Sequence, residues 1–263
     1  MKAINLFNCL LLASLYFQQT TSHAPAETIH GSDCSDIWER NNAAPSGIYR
    51  IKPLQADSSF LVYCEMSKDG GRTLIQRHDG TDGLSFMRTW EEYENGFGEL
   101  QGEHWLGLRY IYDLTHQTGR PAKLHIRLGD FNDQEAYAEY NPFSIGNEKS
   151  FYNLLPGDYS GTAGDAFLGD AEVPGSNEYS SPFSTSDAVH DSCYPNCQVG
   201  DIMKDSCSEI FQGGWWYNSC GSANLNGLWR AAPRHRYRTS SVSWPTWRPD
   251  ESLKFSKMYL IFP

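Results

Sequence analysis

The chain has 263 residues, of which 32 are acidic and 21 are lysine or arginine, and its formal net charge is −11. A chain this acidic is not expected to coat nucleic acid, whose phosphates are also negative. The basic residues are unevenly spread, because Leu228 to Arg238 contains Arg230, Arg234, Arg236 and Arg238 and no acid. One hypothesis is therefore a local basic face that binds acidic glycans. The alternative is that these arginines are separately solvated.

The N-terminal segment predicts the compartment. Lys2 precedes an apolar run from Ala3 to Phe17, and the small residues Ser22 and Ala24 follow it. This pattern is typical of a secretory signal peptide, here residues 1–24, followed by a short flexible tail over residues 25–33. A membrane anchor is the alternative, but the run is shorter than the roughly 20 apolar residues that span a bilayer. We therefore expect an extracellular protein without a membrane span.

Cysteine number supports the same compartment. Removal of residues 1–24 takes Cys9 away and leaves an even set, which is typical of disulfide-bonded secreted domains. The remaining cysteines are Cys34, Cys64, Cys193, Cys197, Cys207 and Cys220. Spacing alone leaves about 15 pairings open, although their local grouping favours three short-range bridges. Zinc binding is the alternative, and neither a CxxC motif nor paired histidines support it.

The first half of the domain alternates short strands and helices. Runs over 48–51, 60–64 and 73–77 have strand character. Phe86, Trp90 and Tyr93 recur at i, i+4 and i+7, which predicts one face of a short helix. A second helix is predicted from Trp105 to Leu114.

The second half is predicted to contain a hairpin, long loops and a final strand. Leu124 to Leu128 alternates and pairs with Ala136 to Tyr140. His125 lies on the polar phase of this strand, so we expect a solvated surface residue without a catalytic role. The segment from Gly157 to Trp229 is loop-like and rich in aromatic residues, as recognition surfaces often are. Leu253 to Phe262 is expected to insert into the central sheet.

Seven short motifs then occur in a fixed order. They are Ser46-Gly47-Ile48-Tyr49, Val62-Tyr63-Cys64-Glu65-Met66, Gly96-Phe97-Gly98, Trp105-Leu106-Gly107-Leu108, Tyr159-Ser160-Gly161-Thr162-Ala163-Gly164-Asp165, Gly213-Gly214-Trp215-Trp216-Tyr217 and Asn224-Leu225-Asn226-Gly227. In this order, residues 34–263 resemble the fibrinogen C-terminal domain, the module of ficolins, tachylectins, angiopoietins and angiopoietin-like proteins. The resemblance implies an α+β fold with a disulfide-closed N-terminal subdomain, a central twisted antiparallel sheet with short helices, and a loop-rich C-terminal binding subdomain.

The resemblance also implies the disulfide pairing. Cys34 is expected to pair with Cys64, and Cys207 with Cys220. Cys193 and Cys197 are extra relative to the family pattern, and we expect them to pair with each other.

A calcium ion usually lies in the family loop that opens with Phe-Ser-Thr, here Phe183-Ser184-Thr185. Calcium takes six to eight oxygen ligands, and Asp187 and Asp191 could supply carboxylates. Val189 stands where the family has a second ligating acid, and Cys193 to Ser206 lengthens the loop. A weakened calcium site and a metal-free loop therefore both stay open.

The acetyl-group pocket of the lectin branch maps onto four positions. Ser208 and Phe211 follow the first cysteine of the bridge, Gly221 replaces a histidine, and Arg238 replaces a tyrosine. The lost imidazole and phenol remove hydrogen-bond partners, each worth roughly 1 kcal/mol. Trp215 and Trp216 are expected to form a buried wall rather than the ligand contact.

The functional hypothesis is a non-enzymatic recognition protein. The chain has no G-x-S-x-G elbow, H-E-x-x-H, P-loop or Rossmann glycine pattern. The main hypothesis is a lectin of innate defence that binds a carbohydrate or pathogen surface through an altered acetyl pocket. The alternative is an angiopoietin-like or fibrinogen-like ligand for a cell-surface or extracellular protein receptor. The sequence contains neither a coiled coil nor a collagen stalk to supply multivalency.

Overall fold

The computed structural model describes residues 28–169, 176–193, 195–199, 202–231, 241–249 and 251–263. The predicted signal peptide and Arg234, Arg236 and Arg238 lie outside these ranges. Within them, no helix combines the length and the hydrophobicity needed to cross a bilayer.

One large antiparallel sheet dominates the fold. The strands are β1 (Gly47–Ile51), β2 (Phe60–Ser67), β3 (Gly70–His78), β4 (Phe97–Gly98), β5 (His104–Trp105), β6 (Ala122–Gly129), β7 (Glu135–Ile145), β8 (Leu154–Gly161), β9 (Cys197–Val199), β10 (Ile202–Lys204) and β11 (Phe255–Ile261). Its main path runs β1-β2-β3-β11-β6-β7-β8, while β9 and β10 form a separate hairpin. The α-helices are α1 (Cys34–Arg40), α2 (Trp90–Asn95), α3 (Leu108–Thr115) and α4 (Cys207–Phe211).

The predicted hairpin and C-terminal strand are confirmed. β6 pairs with β7, and β11 lies between β3 and β6. Leu124, Ile126 and Leu128 are fully buried, as the alternation of strand side chains requires. His125, on the other phase, is less solvated than predicted, because its Nδ1 lies 2.9 Å from Glu139 Oε1 and its side chain is only 13% exposed.

The N-terminal subdomain begins earlier than predicted. Residues 28–33, assigned from the sequence to a flexible tail, pack against β1, and Gly31 forms a bridge with Ile51. Asp33 is the N-cap of α1 and accepts a hydrogen bond from Asp36 N–H. The Cys34–Cys64 disulfide then joins α1 to β2.

Two helix starts differ from prediction because of local backbone geometry. Thr89 is the N-cap of α2 and forms a capping box with Glu92, so Phe86 lies outside the helix although it is buried. Gly107 has a φ of 116°, which a right-handed helix cannot contain. Helix α3 therefore begins at Leu108, and Trp105 belongs to β5 instead.

A buried carboxylate organises the loop after β3. Glu103 accepts hydrogen bonds from the backbone N–H groups of residues 79, 80, 82 and 84, and His78 Nδ1 lies 2.8 Å from its Oε1. Burial opposes ionisation of Glu103, but the hydrogen bonds from His78, Gly80 and Leu84 outweigh it and lower the pKa to about 2. His78 Nε2 lies 2.8 Å from Gly227 O, so this cluster joins the sheet to the C-terminal subdomain.

The segment predicted to be loop from Gly157 to Trp229 contains regular structure. It includes most of β8, the β9–β10 hairpin and helix α4. These elements are short and lack a long hydrophobic period, which explains why the composition alone suggested loops.

Candidate functional site

Two buried indoles form the wall of the C-terminal subdomain, as predicted. Trp215 and Trp216 are both 0% exposed. Trp215 Nε1–H donates to Glu178 Oε2 at 3.0 Å, and Trp216 Nε1–H donates to Tyr152 O at 2.7 Å. Buried indoles need such partners for their N–H groups, so both rings are structural.

Glu178 lies directly behind the candidate pocket. It is fully buried, and its Oε1 accepts hydrogen bonds from the N–H groups of Ser222 and Ala223 at 2.8 and 2.7 Å. Burial raises the pKa of Glu178 well above its ordinary value, and the hydrogen bonds, led by that from Trp215, offset only part of this effect. Gly221 has a φ of 64°, and a Cβ there would overlap Glu178 Oε1.

The pocket residues predicted from the resemblance lie around the Cys207–Cys220 disulfide, and two point inward. Ser208 Oγ–H donates to Gly213 O at 2.8 Å, and the residue is 2% exposed. Phe211 is 8% exposed and stacks on Tyr217 with a ring separation of 5.3 Å. Arg238 lies outside the described residues. The described part of the predicted pocket is therefore occupied by internal contacts.

The predicted calcium loop holds its carboxylates differently from a metal site. Asp187 Oδ1 accepts hydrogen bonds from Trp90 N–H at 3.0 Å and from Thr185 Oγ1–H at 2.7 Å. Asp191 is buried, and its Oδ2 accepts from Cys207 N–H at 2.7 Å. Val189 is exposed at the position of the missing acid. Both carboxylates therefore accept internal hydrogen bonds, and the choice between a weakened calcium site and a metal-free loop stays a prediction from the sequence.

The cysteines of this region form one cluster of sulfur atoms. The Cys193–Cys197 and Cys207–Cys220 disulfides are both present, as predicted. All four sulfurs lie within 4.8 Å of one another, and across the described ranges this is the one group of three or more His, Cys, Asp or Glu side chains close enough to share a metal ion. As disulfides they lack the thiolate charge that binds metals.

Sequence reasoning missed an aromatic patch at the surface, formed by Trp90, Phe151 and His190; Val189 precedes His190 in the chain. Phe151 and His190 stack at 3.9 Å between ring centroids, and Trp90 meets His190 edge-on at 5.3 Å. Phe151 is 44% exposed and Val189 is 46% exposed. His190 Nδ1–H donates to Phe183 O at 2.8 Å, which fixes the ring. The helical spacing predicted only Trp90, and no periodicity links it to Phe151 and His190, because three separate segments contribute these residues.

Three carboxylates lie next to residues of the aromatic patch, in the chain or by a hydrogen bond. Glu91 follows Trp90 on α2, and Asp187 binds the N-terminus of the same helix; both are exposed. Glu94 accepts a hydrogen bond from Tyr152 Oη, next to Phe151. An apolar centre with an acidic rim can bury a hydrophobic side chain while it attracts basic groups on a partner.

Comparison with known proteins gives a single family. The family described as "Fibrinogen beta and gamma chains, C-terminal globular domain" matches residues 30–263. Human fibrinogen-like protein 1 is 42% identical over 223 residues, which cover 82% of this chain and 67% of that protein. Human angiopoietin-4 is 35% identical over 258 residues, or 95% of this chain and 47% of that protein.

Solved structures are similar over most of the chain. The fibrinogen-like globe domain of human ANGPTL2 is 35% identical, with a TM-score of 0.75 over 88% of this chain and 98% of that one. A lamprey fibrin D-dimer, complexed with the peptide ligand Gly-His-Arg-Pro-amide, is 32% identical, with a TM-score of 0.79 over 93% of this chain and 79% of that one.

Proposed function

Because the chain belongs to the fibrinogen C-terminal domain family, we propose that it is a secreted recognition protein that binds an extracellular or cell-surface protein. The family is non-enzymatic, so no reaction is assigned to the chain. This proposal adopts the receptor-ligand alternative from the sequence in place of the lectin of innate defence.

The main support for the proposal is that the described residues of the predicted acetyl pocket make contacts inside the protein. The Ser208 hydroxyl donates a hydrogen bond to Gly213 O, and the Phe211 ring packs on Tyr217. Glu178 fills the space behind Gly221. An acetamide needs free hydrogen-bond partners, and these three positions offer none from a side chain. The similar proteins include human fibrinogen-like protein 1 and human angiopoietin-4, which supports a protein ligand rather than a sugar.

We assign the protein contact to the aromatic patch. Trp90, Phe151 and His190 are held by stacking and by the His190 hydrogen bond, so little side-chain entropy is lost on binding. Aromatic residues often dominate binding energy at interfaces. The carboxylates next to the patch and the net charge of −11 favour a partner with a basic surface.

The first experiment measures binding of the labelled secreted chain to cells, with EDTA present throughout. We expect binding to survive glycosidase treatment and excess N-acetylglucosamine, and to disappear after mild trypsin treatment of the cells. Binding that glycosidase or N-acetylglucosamine abolishes would support the lectin hypothesis and contradict this proposal.

A matched pair of substitutions then locates the contact. Val189 and Leu54 are each 46% exposed. Val189→Lys places a cation next to His190 of the aromatic patch, whereas Leu54→Lys places one in the N-terminal subdomain. We expect Val189→Lys to weaken cell binding at least about tenfold, the equivalent of about 1.4 kcal/mol, and Leu54→Lys to leave it unchanged. Equal affinities for the two variants would exclude the aromatic patch as the contact.

A further inference from the structure

Two disulfides in the C-terminal subdomain contact each other through their sulfur atoms. Cys193 Sγ lies 3.3 Å from Cys207 Sγ and 3.9 Å from Cys220 Sγ. Cys197 Sγ lies 3.5 Å from Cys207 Sγ. Each bridge therefore has a sulfur of the other bridge as its neighbour.

The four sulfurs differ in their access to solvent. Cys197, Cys207 and Cys220 are buried, at 1%, 0% and 4% exposed. Cys193 is half-buried, and its neighbour Ser192 is exposed. The rate of thiol–disulfide exchange depends on which sulfur the attacking thiolate can reach. An external thiol therefore reaches the cluster first at Cys193.

We propose that Cys193 is a modification site for small extracellular thiols of the glutathione class, and that it transmits exchange to the buried Cys207–Cys220 bridge. The external thiolate attacks Cys193 Sγ, a mixed disulfide forms, and the Cys193–Cys197 bond breaks with its electron pair on Cys197. Cys197, now free to rotate, attacks Cys207 Sγ. The Cys197–Cys207 bond forms, and Cys220 leaves as a thiolate.

The last step restores the external thiol. Cys220 attacks Cys193 Sγ, the Cys193–Cys220 bond forms, and the small thiolate leaves. The chain keeps the same number of disulfides and undergoes no net oxidation or reduction, so the small thiol acts as a catalyst. The new Cys197–Cys207 bridge closes the β9–β10 hairpin. The new Cys193–Cys220 bridge joins the loop after Asp191 to the end of the tryptophan segment, residues 214–220.

Asp191 lies beside the sulfur that the first step releases. Its carboxylate Oδ2 lies 3.7 Å from Cys197 Sγ and accepts a hydrogen bond from Cys207 N–H. A negative charge at this distance disfavours a thiolate on Cys197, so the onward attack depends on the contact between Cys197 and Cys207. Cys207 Sγ is the neighbour within contact distance.

Peptide mapping of the secreted chain tests the proposal. The chain is incubated with reduced glutathione, alkylated with iodoacetamide, digested without reduction and mapped by mass spectrometry. We expect Cys197–Cys207 and Cys193–Cys220 peptides beside the original pairs, while the distant and buried Cys34–Cys64 bridge stays unchanged. Alkylation confined to Cys193 and Cys197, with Cys207–Cys220 intact, would overturn the proposal.

Two variants isolate the transfer step. Cys193→Ser leaves Cys197 as a thiol, and we expect it to pair with Cys207 and to release Cys220 for alkylation without added glutathione. Alkylation on Cys197 instead contradicts the transfer. The double variant Cys193→Ser/Cys197→Ser removes the accessible bridge, so added glutathione should open Cys207–Cys220 about tenfold more slowly than in the unmodified chain. Equal rates would show that the buried bridge is attacked directly.

Discussion

The hydroxyl of Tyr93 accepts a hydrogen bond from Gly214 N–H at 2.9 Å and donates one to Phe86 O at 2.7 Å. Tyr93 lies on α2, whereas Gly214 begins the tryptophan segment. A Cβ on residue 214 would lie 2.6 Å from Tyr93 Cε2, so glycine is required for this close approach. The pair joins the helix of the aromatic patch to the buried indoles.

Loss of this hydroxyl should destabilise the domain. Tyr93→Phe leaves the buried Gly214 N–H without its acceptor, and we expect the free energy of unfolding in urea to fall by about 1 to 3 kcal/mol. Tyr49→Phe is the matched control, because that hydroxyl donates to Pro45 O at the surface and solvent can replace it. Equal losses for the two variants would contradict the bridging role of Tyr93.

Glu103 should control stability in acid. Its folded pKa of about 2 lies below the ordinary value of 4.5, so its contribution is complete above pH 4.5 and is lost as the pH falls towards 2. Each pKa unit corresponds to about 1.4 kcal/mol, so we expect a loss of roughly 3 kcal/mol across this window.

Urea unfolding at several pH values checks this expectation. Glu103→Gln should be less stable above pH 4.5 and should lose the steep dependence below it. Glu99→Gln, at an exposed glutamate close in sequence, should keep the profile of the unmodified chain. Parallel pH profiles for Glu103→Gln and the unmodified chain would rule out this role.

Gly221 and Gly83 offer a matched test of the closed pocket. Both have a φ of 64°, but a Cβ at Gly83 has no neighbour within 4 Å, whereas one at Gly221 overlaps Glu178. We expect Gly83→Ala to cost about 1 to 2 kcal/mol of backbone strain. Gly221→Ala should cost about 1 to 3 kcal/mol more in urea unfolding, because of overpacking.

The same contact bears on the lectin hypothesis. Replacement of Gly221 by histidine would bring the family side chain against the buried carboxyl group, so we expect Gly221→His to lose stability without gaining affinity for N-acetylglucosamine. Calorimetric titration of the folded variant measures this. A gain in affinity would show that the pocket can open.

Asp187 should act as a helix cap without a metal. Asp187→Ala removes the acceptor for Trp90 N–H and should lower the free energy of unfolding by about 0.5 to 2 kcal/mol. Asp69→Ala, at an exposed aspartate, should change it little. We expect the same midpoint temperature with EDTA and with calcium; a clear rise in calcium would instead favour the metal site at Asp187 and Asp191.

The elements predicted correctly are those that local sequence patterns determine. β2, β6 and β7 were found because buried and exposed side chains alternate along much of each strand. β1, β3 and β11 were also predicted, although β3 and β11 bury consecutive residues. The predicted first residues of α2 and α3 were wrong, because a single residue determines where each helix begins. Thr89 caps one helix, and the φ of Gly107 excludes it from the other.

The candidate site was less predictable. The resemblance predicted Ser208, Phe211 and Gly221 as pocket residues. Their internal contacts, with Gly213, Tyr217 and Glu178 respectively, could not be predicted from it. The aromatic patch combines segments about 60 and 100 residues from Trp90, and no spacing rule covers such distances. Tertiary contacts therefore decided which of the predicted residues remain accessible.

The position of β11 has a consequence for the order of folding. This strand is made after every other strand, yet it lies between β3 and β6 and holds the two halves of the sheet together. Neither half can bury its inner edge until residues 255–261 have left the ribosome, so we expect the sheet to close only after this strand has emerged. A ribosome-stalled chain that ends before Phe255 should remain sensitive to protease, and protection of that chain would disprove this order.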